Sequence, residues 1–316
     1  MKVFLTGASG FIGAGVARGL LAAGHDIIAL ARSPASADRL RRHGIEPFFG
    51  DLADADRLHA GTTRADAVIH AGFPRQAYQD IDRAIVVDQG AVAAFVHALA
   101  GTSKRLIYTS GIGVVGDTDG ASVTEDSPLH TPPALTWRRD LEVTVIAAGG
   151  VVLRPAFVYG RAGGDILVTL IRDAAARGAA YYAAPGDNVW PNVHVDDLGR
   201  AYALALEHAT AGRVFNLAGD EATPRTVIEA IGRLIGAPER TISLPLAKAI
   251  DVVPYIGWLG GNIRVESNRA RVELGWRPEG RGILDEIEHG SYVALLHAPD
   301  APSTSDMRAG ADRGCR

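Results

Sequence analysis

Thr6-Gly7-Ala8-Ser9-Gly10-Phe11-Ile12-Gly13 decides the fold, because it joins the strand-like run Val3-Phe4-Leu5-Thr6 to the helical stretch Phe11 to Ala23. Each glycine has a mechanical reason to be there. Gly7 allows a tight turn, Gly10 lets a pyrophosphate approach the backbone, and Gly13 lets the helix pack closely on the strand. The helix N-terminus adds unpaired amides and the positive end of its dipole. The spacing therefore predicts that Gly7, Ser9, Gly10, Phe11, Ile12 and Gly13 hold the paired phosphates of a dinucleotide.

Outward from this turn, short β-branched runs alternate with amphipathic stretches, the pattern of a parallel sheet covered by helices on both faces. Strands are expected at Val3 to Thr6, Asp26 to Ala31, Pro47 to Phe49, Ala67 to His70, Arg105 to Ser110 and Val151 to Arg154. Helices are expected at Phe11 to Ala23, Ala35 to His43, Asp54 to Ala60, Ile81 to Ala100 and Ala134 to Ala148. The fold class is α/β, a doubly wound parallel Rossmann sheet with a smaller, discontinuous C-terminal substrate lobe. Residues 1–160 form the dinucleotide-binding domain, joined by 191–217, where Asp196 to Glu207 reads as a helix and Val214 to Leu217 as a returning strand. The substrate lobe takes 161–190 and 218–296, with Val253 to Asn262 as its lid segment, and 297–316 reads as a disordered tail.

Composition narrows the function. The 316 residues are 47% hydrophobic, enough for a sizeable core, and the formal net charge of -4 without a dense basic run argues against nucleic acid. A single cysteine, Cys315, excludes a disulfide scaffold. The start of the chain lacks the pattern of a signal peptide and no apolar window approaches the ~20 residues of a membrane span. A cytoplasmic protein with no membrane partner is expected. The histidines are scattered without ligand spacing, so no metal site is expected.

The end of the second strand distinguishes the two nicotinamide dinucleotides. A carboxylate there would bind the adenosine ribose, but Ala31 is followed by Arg32-Ser33. An arginine beside a hydroxyl suits a 2′-phosphate, which favours NADP, with NAD as second choice. Asp51 and Leu52, after the third strand, reach the adenine, and Ala71-Gly72-Phe73, after the fourth, line the middle of the cofactor.

Together these residues resemble the extended short-chain dehydrogenase/reductases, the group that includes nucleotide-sugar epimerases and dehydratases. The resemblance runs through the glycine turn, Asp51-Leu52, Val68-Ile69-His70-Ala71, Tyr108-Thr109-Ser110, Leu153-Arg154-Pro155-Ala156-Phe157-Val158-Tyr159-Gly160, Asn192-Val193-His194-Val195-Asp196-Asp197 and Leu274-Gly275-Trp276-Arg277-Pro278, covering about residues 1–296. It implies that Pro155 and Val158 contact the cofactor. It also implies a homodimer built on the helices Ile81 to Ala100 and Ala134 to Ala148.

In that family a Ser or Thr polarises the substrate oxygen, a Tyr transfers the proton, and a Lys four residues on holds the ribose and lowers the tyrosine pKa. Placed on this chain, the pattern puts Gly111 at the hydroxyl position with Ser110 just before it, Ala134 at the tyrosine and Arg138 at the lysine, with Glu142 at the family's glutamate. Alanine cannot shuttle a proton, and arginine stays protonated. Ser110, Tyr159 and Arg138 are the remaining catalytic candidates, with Arg138 also a cofactor contact. Phe73, Gly111, Trp137, Trp190 and Asn192 are expected to shape the substrate pocket, while Tyr159 is alternatively a packed phenol and His70 a satisfied core histidine. The expected function is an NAD(P)-dependent oxidoreductase or epimerase acting on a carbonyl or carbinol centre of a small metabolite. The alternatives are a non-redox isomerase, cyclase or lyase, and a dinucleotide-binding sensor without catalysis.

Overall fold

The computed structural model describes residues 1–74, 80–252 and 261–296, the side chains of 250–252 excepted. The N-terminal half runs β1 (Lys2–Thr6), α1 (Phe11–Ala22), β2 (Asp26–Ala31), α2 (Pro34–Arg42), β3 (Glu46–Phe49), α3 (Ala55–Thr63), β4 (Ala67–His70), α4 (Ile81–Leu99), β5 (Arg105–Thr109), β6 (Ser122–Val123), α5 (Thr136–Ala147) and β7 (Val151–Pro155). There follow β8 (Phe157–Tyr159), α6 (Asp165–Arg177), β9 (Ala180–Ala183), β10 (Trp190–His194), α7 (Val195–His208), β11 (Val214–Leu217) and β12 (Asp220–Ala222). The described chain closes with α8 (Pro224–Leu234), β13 (Thr241–Leu244), α9 (Leu246–Val252), β14 (Arg264–Val265), α10 (Asn268–Glu273) and α11 (Ile283–His289).

Seven strands pair in the order β11-β7-β5-β4-β1-β2-β3, every neighbour parallel. The strand order reverses at β1, so a crevice opens there at the carboxyl ends of the strands. Alternation explains why both faces are covered. Val3, Leu5, Ile27, Ala29, Ile107 and Leu153 pack into one cluster with α1 and α7. Phe4, Ile28, Val68, Tyr108 and Val152 point to the opposite cluster, with Leu58 of α3, Phe95 of α4 and Val145 of α5. The returning strand Val214–Leu217 pairs with β7 as expected.

A further hydrophobic cluster gathers Leu167, Ile171, Ile228, Ile231, Ile283, Ile287 and Tyr292 from α6, α8, α11 and the turn that follows. Beside it, β8, β10 and β12 form a three-stranded sheet. β8 and β10 have no counterpart in the sequence reading, because Pro191 and Asn192 are poor strand formers and the pairing of Asn192 with Phe157 is long-range. Neither Asp196 nor Asp197 caps α7 with its side chain. The His194 side chain accepts from the Asp196 amide at the N-cap, while buried Asp197 accepts from the Glu279 and Gly280 amides at 3.0 and 2.9 Å. Cys315, the 297–316 tail and 253–260 of the expected lid lie outside the described residues.

Candidate functional site

A cleft of about 1210 Å³ runs along the carboxyl ends of the strands. Its floor is the glycine turn. Gly7 has φ +79°, and a Cβ there would lie 2.3 Å from the Ala71 carbonyl oxygen; a Cβ on Gly13 would lie 2.0 Å from the Gly7 oxygen. No side chain fits at either place. Gly10 caps α1 without any side-chain hydrogen bond, so the first amides of the helix stay open toward the cleft, which Gly7, Ser9, Gly10, Phe11, Ile12 and Gly13 all line. These residues fit the pyrophosphate of a dinucleotide.

At the β2 end the lining includes Arg32, Ser33, Ser36 and Arg39, then Asp51, Leu52 and Ala53. Ser33 and Ser36 form a reciprocal capping box on α2, and the Asp51 carboxylate accepts from the Ala53 amide at 3.0 Å. Arg32 and Arg39 have no acidic partner among the described residues. Arg39 escaped the sequence reading. The three-residue spacing Ser33, Ser36, Arg39 on one helical face was the signal that could have found it.

The middle of the cleft is lined by Ala71, Gly72 and Phe73, and a buried polar chain fixes it from below. The Gly72 amide donates to the Thr6 hydroxyl at 3.1 Å, leaving that hydroxyl to donate to His70 Nδ1 at 2.7 Å. His70 Nε2 then donates to Asp88 at 3.1 Å, and the Tyr108 hydroxyl donates to the other Asp88 oxygen at 3.0 Å. His70 is thus a satisfied core histidine. Burial, and then the Asp88 charge, push the Tyr108 phenol well above its ordinary range.

Beyond the middle, Ser110 and Gly111 line the cleft at the end of β5, with Pro155 and Val158 opposite. Ser110 is only 7% exposed, and its hydroxyl has no hydrogen-bond partner among the described residues. A buried hydroxyl without a protein partner, on a residue that lines the cleft, calls for an explanation, and a bound ligand would supply one. Trp190 also lines the cleft and packs on Phe157 with ring centroids 6.1 Å apart.

Four expected site residues do not line the cleft. The Tyr159 hydroxyl donates at 2.6 Å to the Arg281 carbonyl, which commits its proton, and burial with Asp220 and Asp197 nearby raises its pKa above that of a free phenol. Asn192 is fully buried and donates back to the Trp190 carbonyl at 2.9 Å. Trp137 stacks on Phe73 at 5.8 Å, and the Arg138 guanidinium lies 5.1 Å from the Phe73 ring centroid and 4.4 Å from that of Trp137. Arg138 also donates weakly to the Thr109 carbonyl at 3.4 Å, so this trio supports the wall behind Phe73. The Ala134 backbone carbonyl accepts from the Trp137 indole at 3.0 Å.

Among the described residues no cluster of three or more His, Cys, Asp or Glu could hold a metal, and no helix is long and apolar enough to cross a membrane.

A parallel sheet with this glycine turn at its switch point defines an α/β protein of the Rossmann class. Residues 3–218 match the model of the NAD dependent epimerase/dehydratase family, and the chain belongs to that family. An uncharacterized protein of Schizosaccharomyces pombe is 31% identical over 92% of this chain and 100% of its own length. A 2-alkyl-3-oxoalkanoate reductase of Stenotrophomonas maltophilia is 27% identical over 80% of this chain and 82% of its own. Among solved structures, a dTDP-glucose 4,6-dehydratase of Streptomyces venezuelae with NAD bound superposes with a TM-score of 0.77, 21% identity and coverage of 94% and 97% of the two chains.

Proposed function

We propose that the protein is an NADP-dependent oxidoreductase or epimerase acting on a carbonyl or carbinol centre of a small metabolite, with an atypical active site. One observation carries the reading: a single cleft joins the unpaired guanidinium groups of Arg32 and Arg39, the glycine cradle and the orphan hydroxyl of Ser110. The Streptomyces dehydratase is named with NAD and the Stenotrophomonas relative is named a reductase, and both support a nicotinamide cofactor.

The dinucleotide, when bound, supplies or accepts a hydride at the substrate carbon. Amides at the start of α1 hold its phosphates, and Arg32 with Arg39 holds the 2′-phosphate. Ser110 donates its hydrogen bond to the substrate oxygen and stabilises the charge that develops there. The proton itself comes from a water or the substrate, since Tyr159 is committed elsewhere. An open cleft favours an enzyme over a sensor. The non-redox alternative is supported by Ala134 and Arg138, which stand where the resemblance expects Tyr and Lys, and substrate turnover by cofactor-free protein would select it. Homodimerisation through α4 and α5 is part of the proposal, supported by Val86 and Val143, 66% and 61% exposed on those helices.

Arg32→Ala is expected to weaken NADP binding by about 10- to 100-fold, the worth of a charge-assisted contact, and to leave NAD binding unchanged. Calorimetric titration of both cofactors tests this; equal losses would remove the preference for NADP. Ser110→Ala is expected to lower kcat by about 10²-fold at constant NADP affinity, as for other lost oxyanion donors. Steady-state turnover equal to that of the parent would take Ser110 out of the chemistry.

A further inference from the structure

One wall of the cleft comes from the start of α4. Asp80, Arg83, Ala84 and Val87 line it, and their spacing is that of a single helical face. Asp80 is the N-cap, and its carboxylate accepts from the Arg83 backbone amide at 3.0 Å. Arg83 therefore stands in the first turn of the helix, on the stripe that the cleft shares.

A cation at that place runs against the helix. The N-terminal end of a helix dipole favours acids and disfavours a guanidinium. No neighbouring acid compensates: Arg83 makes no ion pair among the described residues, and Asp80 is engaged as the cap. Residues 75–79, which lead into α4, read Arg-Gln-Ala-Tyr-Gln and contain no carboxylate. A local rule broken without compensation on the wall of a cleft points to a ligand.

Topology identifies what the charge meets. β4 pairs with β1 through Leu5↔Ile69 and Thr6↔His70, so the turns after the two strands leave the sheet side by side. They touch closely, since a Cβ on Gly7 would lie 2.3 Å from the Ala71 carbonyl oxygen. α1 covers one face of the sheet, with Val16 and Leu20 packed among Val3 and Leu5, and α4 covers the other, with Phe95 against Phe4. Both helices begin at the carboxyl ends of the strands, so the α1 amides and Arg83 approach the joined turns from opposite sides.

We infer that Arg83 is a further anion contact of the cofactor, pairing with the pyrophosphate whose other side the α1 amides hold. A diphosphate offers more lone pairs than the open amides of one helix end satisfy, and a guanidinium donates to phosphate oxygens in pairs. The inference rests on the dinucleotide reading proposed above. It adds a contact common to NAD and NADP, separate from the 2′-phosphate contacts of Arg32 and Arg39.

Calorimetric titration of the full chain and of its Arg83→Gln and Arg83→Lys variants with NADP, NAD, ADP-ribose and 2′-AMP tests it. Arg83→Gln is expected to weaken NADP, NAD and ADP-ribose alike by about 10- to 100-fold, the range of a hydrogen bond between charged groups. It is expected to leave 2′-AMP, which has no pyrophosphate, at the parent's affinity. Arg83→Lys, which keeps the charge but not the fork, is expected to recover part of the loss. The melting point of Arg83→Gln without ligand is expected to hold or rise, because a cation leaves the helix start, whereas loss of a merely structural arginine would lower it. Parent-like affinity of Arg83→Gln for NADP, NAD and ADP-ribose would overturn the inference and leave the proposed function standing. Equal weakening of 2′-AMP would overturn it as well, since the charge would then act at the adenosine end. A parent chain that binds neither NADP nor NAD would end the proposed function and the inference with it.

Discussion

Replacing Gly13 by alanine is expected to reduce dinucleotide affinity by more than about 100-fold. The added Cβ would stand 2.0 Å from the Gly7 carbonyl oxygen and 2.3 Å from its carbon, backbone atoms that cannot rotate away as a side-chain tip can. Either α1 moves off β1 or the Gly7 peptide turns, and both displace the amides that hold the phosphates. Overpacking of a tight contact costs about 1–3 kcal/mol in stability, so the variant should fold with a lowered melting point. Titration with NADP separates the two losses. Parent-like affinity in the folded variant would mean that the phosphates sit elsewhere.

The second large effect is on stability. Glu142 of α5 and Arg154 of β7 form an ion pair with contacts of 2.6 and 3.0 Å, both side chains at least 96% shielded. Taking one partner away leaves a charge in the core, for which about 3–5 kcal/mol is the usual cost. Glu142→Ala is therefore expected to lose that much in denaturant unfolding. The double variant Glu142→Leu with Arg154→Met, which removes both charges and keeps the volume, is expected to recover most of it. A double variant no better than the single one would show that Arg154 serves more than Glu142.

The parallel sheet was legible because its strands are continuous apolar runs separated by amphipathic helices, and because the glycine turn fixes the place of β1. The cleft lining at the ends of β2 and β3 followed from the same logic, since Arg32, Ser33, Asp51 and Leu52 each stand within three residues of a strand's end. Ser110 was legible for that reason too. Tyr159 misled: it closes β8 at the same edge of the sheet, but its hydroxyl is taken by a carbonyl 122 residues further along, a contact that no local pattern reports. Asn192 turned inward for a similar reason, because its strand is sandwiched between β8 and β12. Glu142 matched a family position, yet its partner Arg154 came to light only through the packing of α5 on β7. The capping role of His194 was hidden because aspartates are the better caps in general, and here both are drawn away by tertiary contacts.

The central claim is that the backbone at the start of α1 grips the phosphates of a dinucleotide, and amide hydrogen exchange with and without NADP tests it most directly. Saturable protection centred on the amides of residues 9–13 is the predicted result. Protection that appears only elsewhere on the chain, or none at saturating NADP, would contradict it.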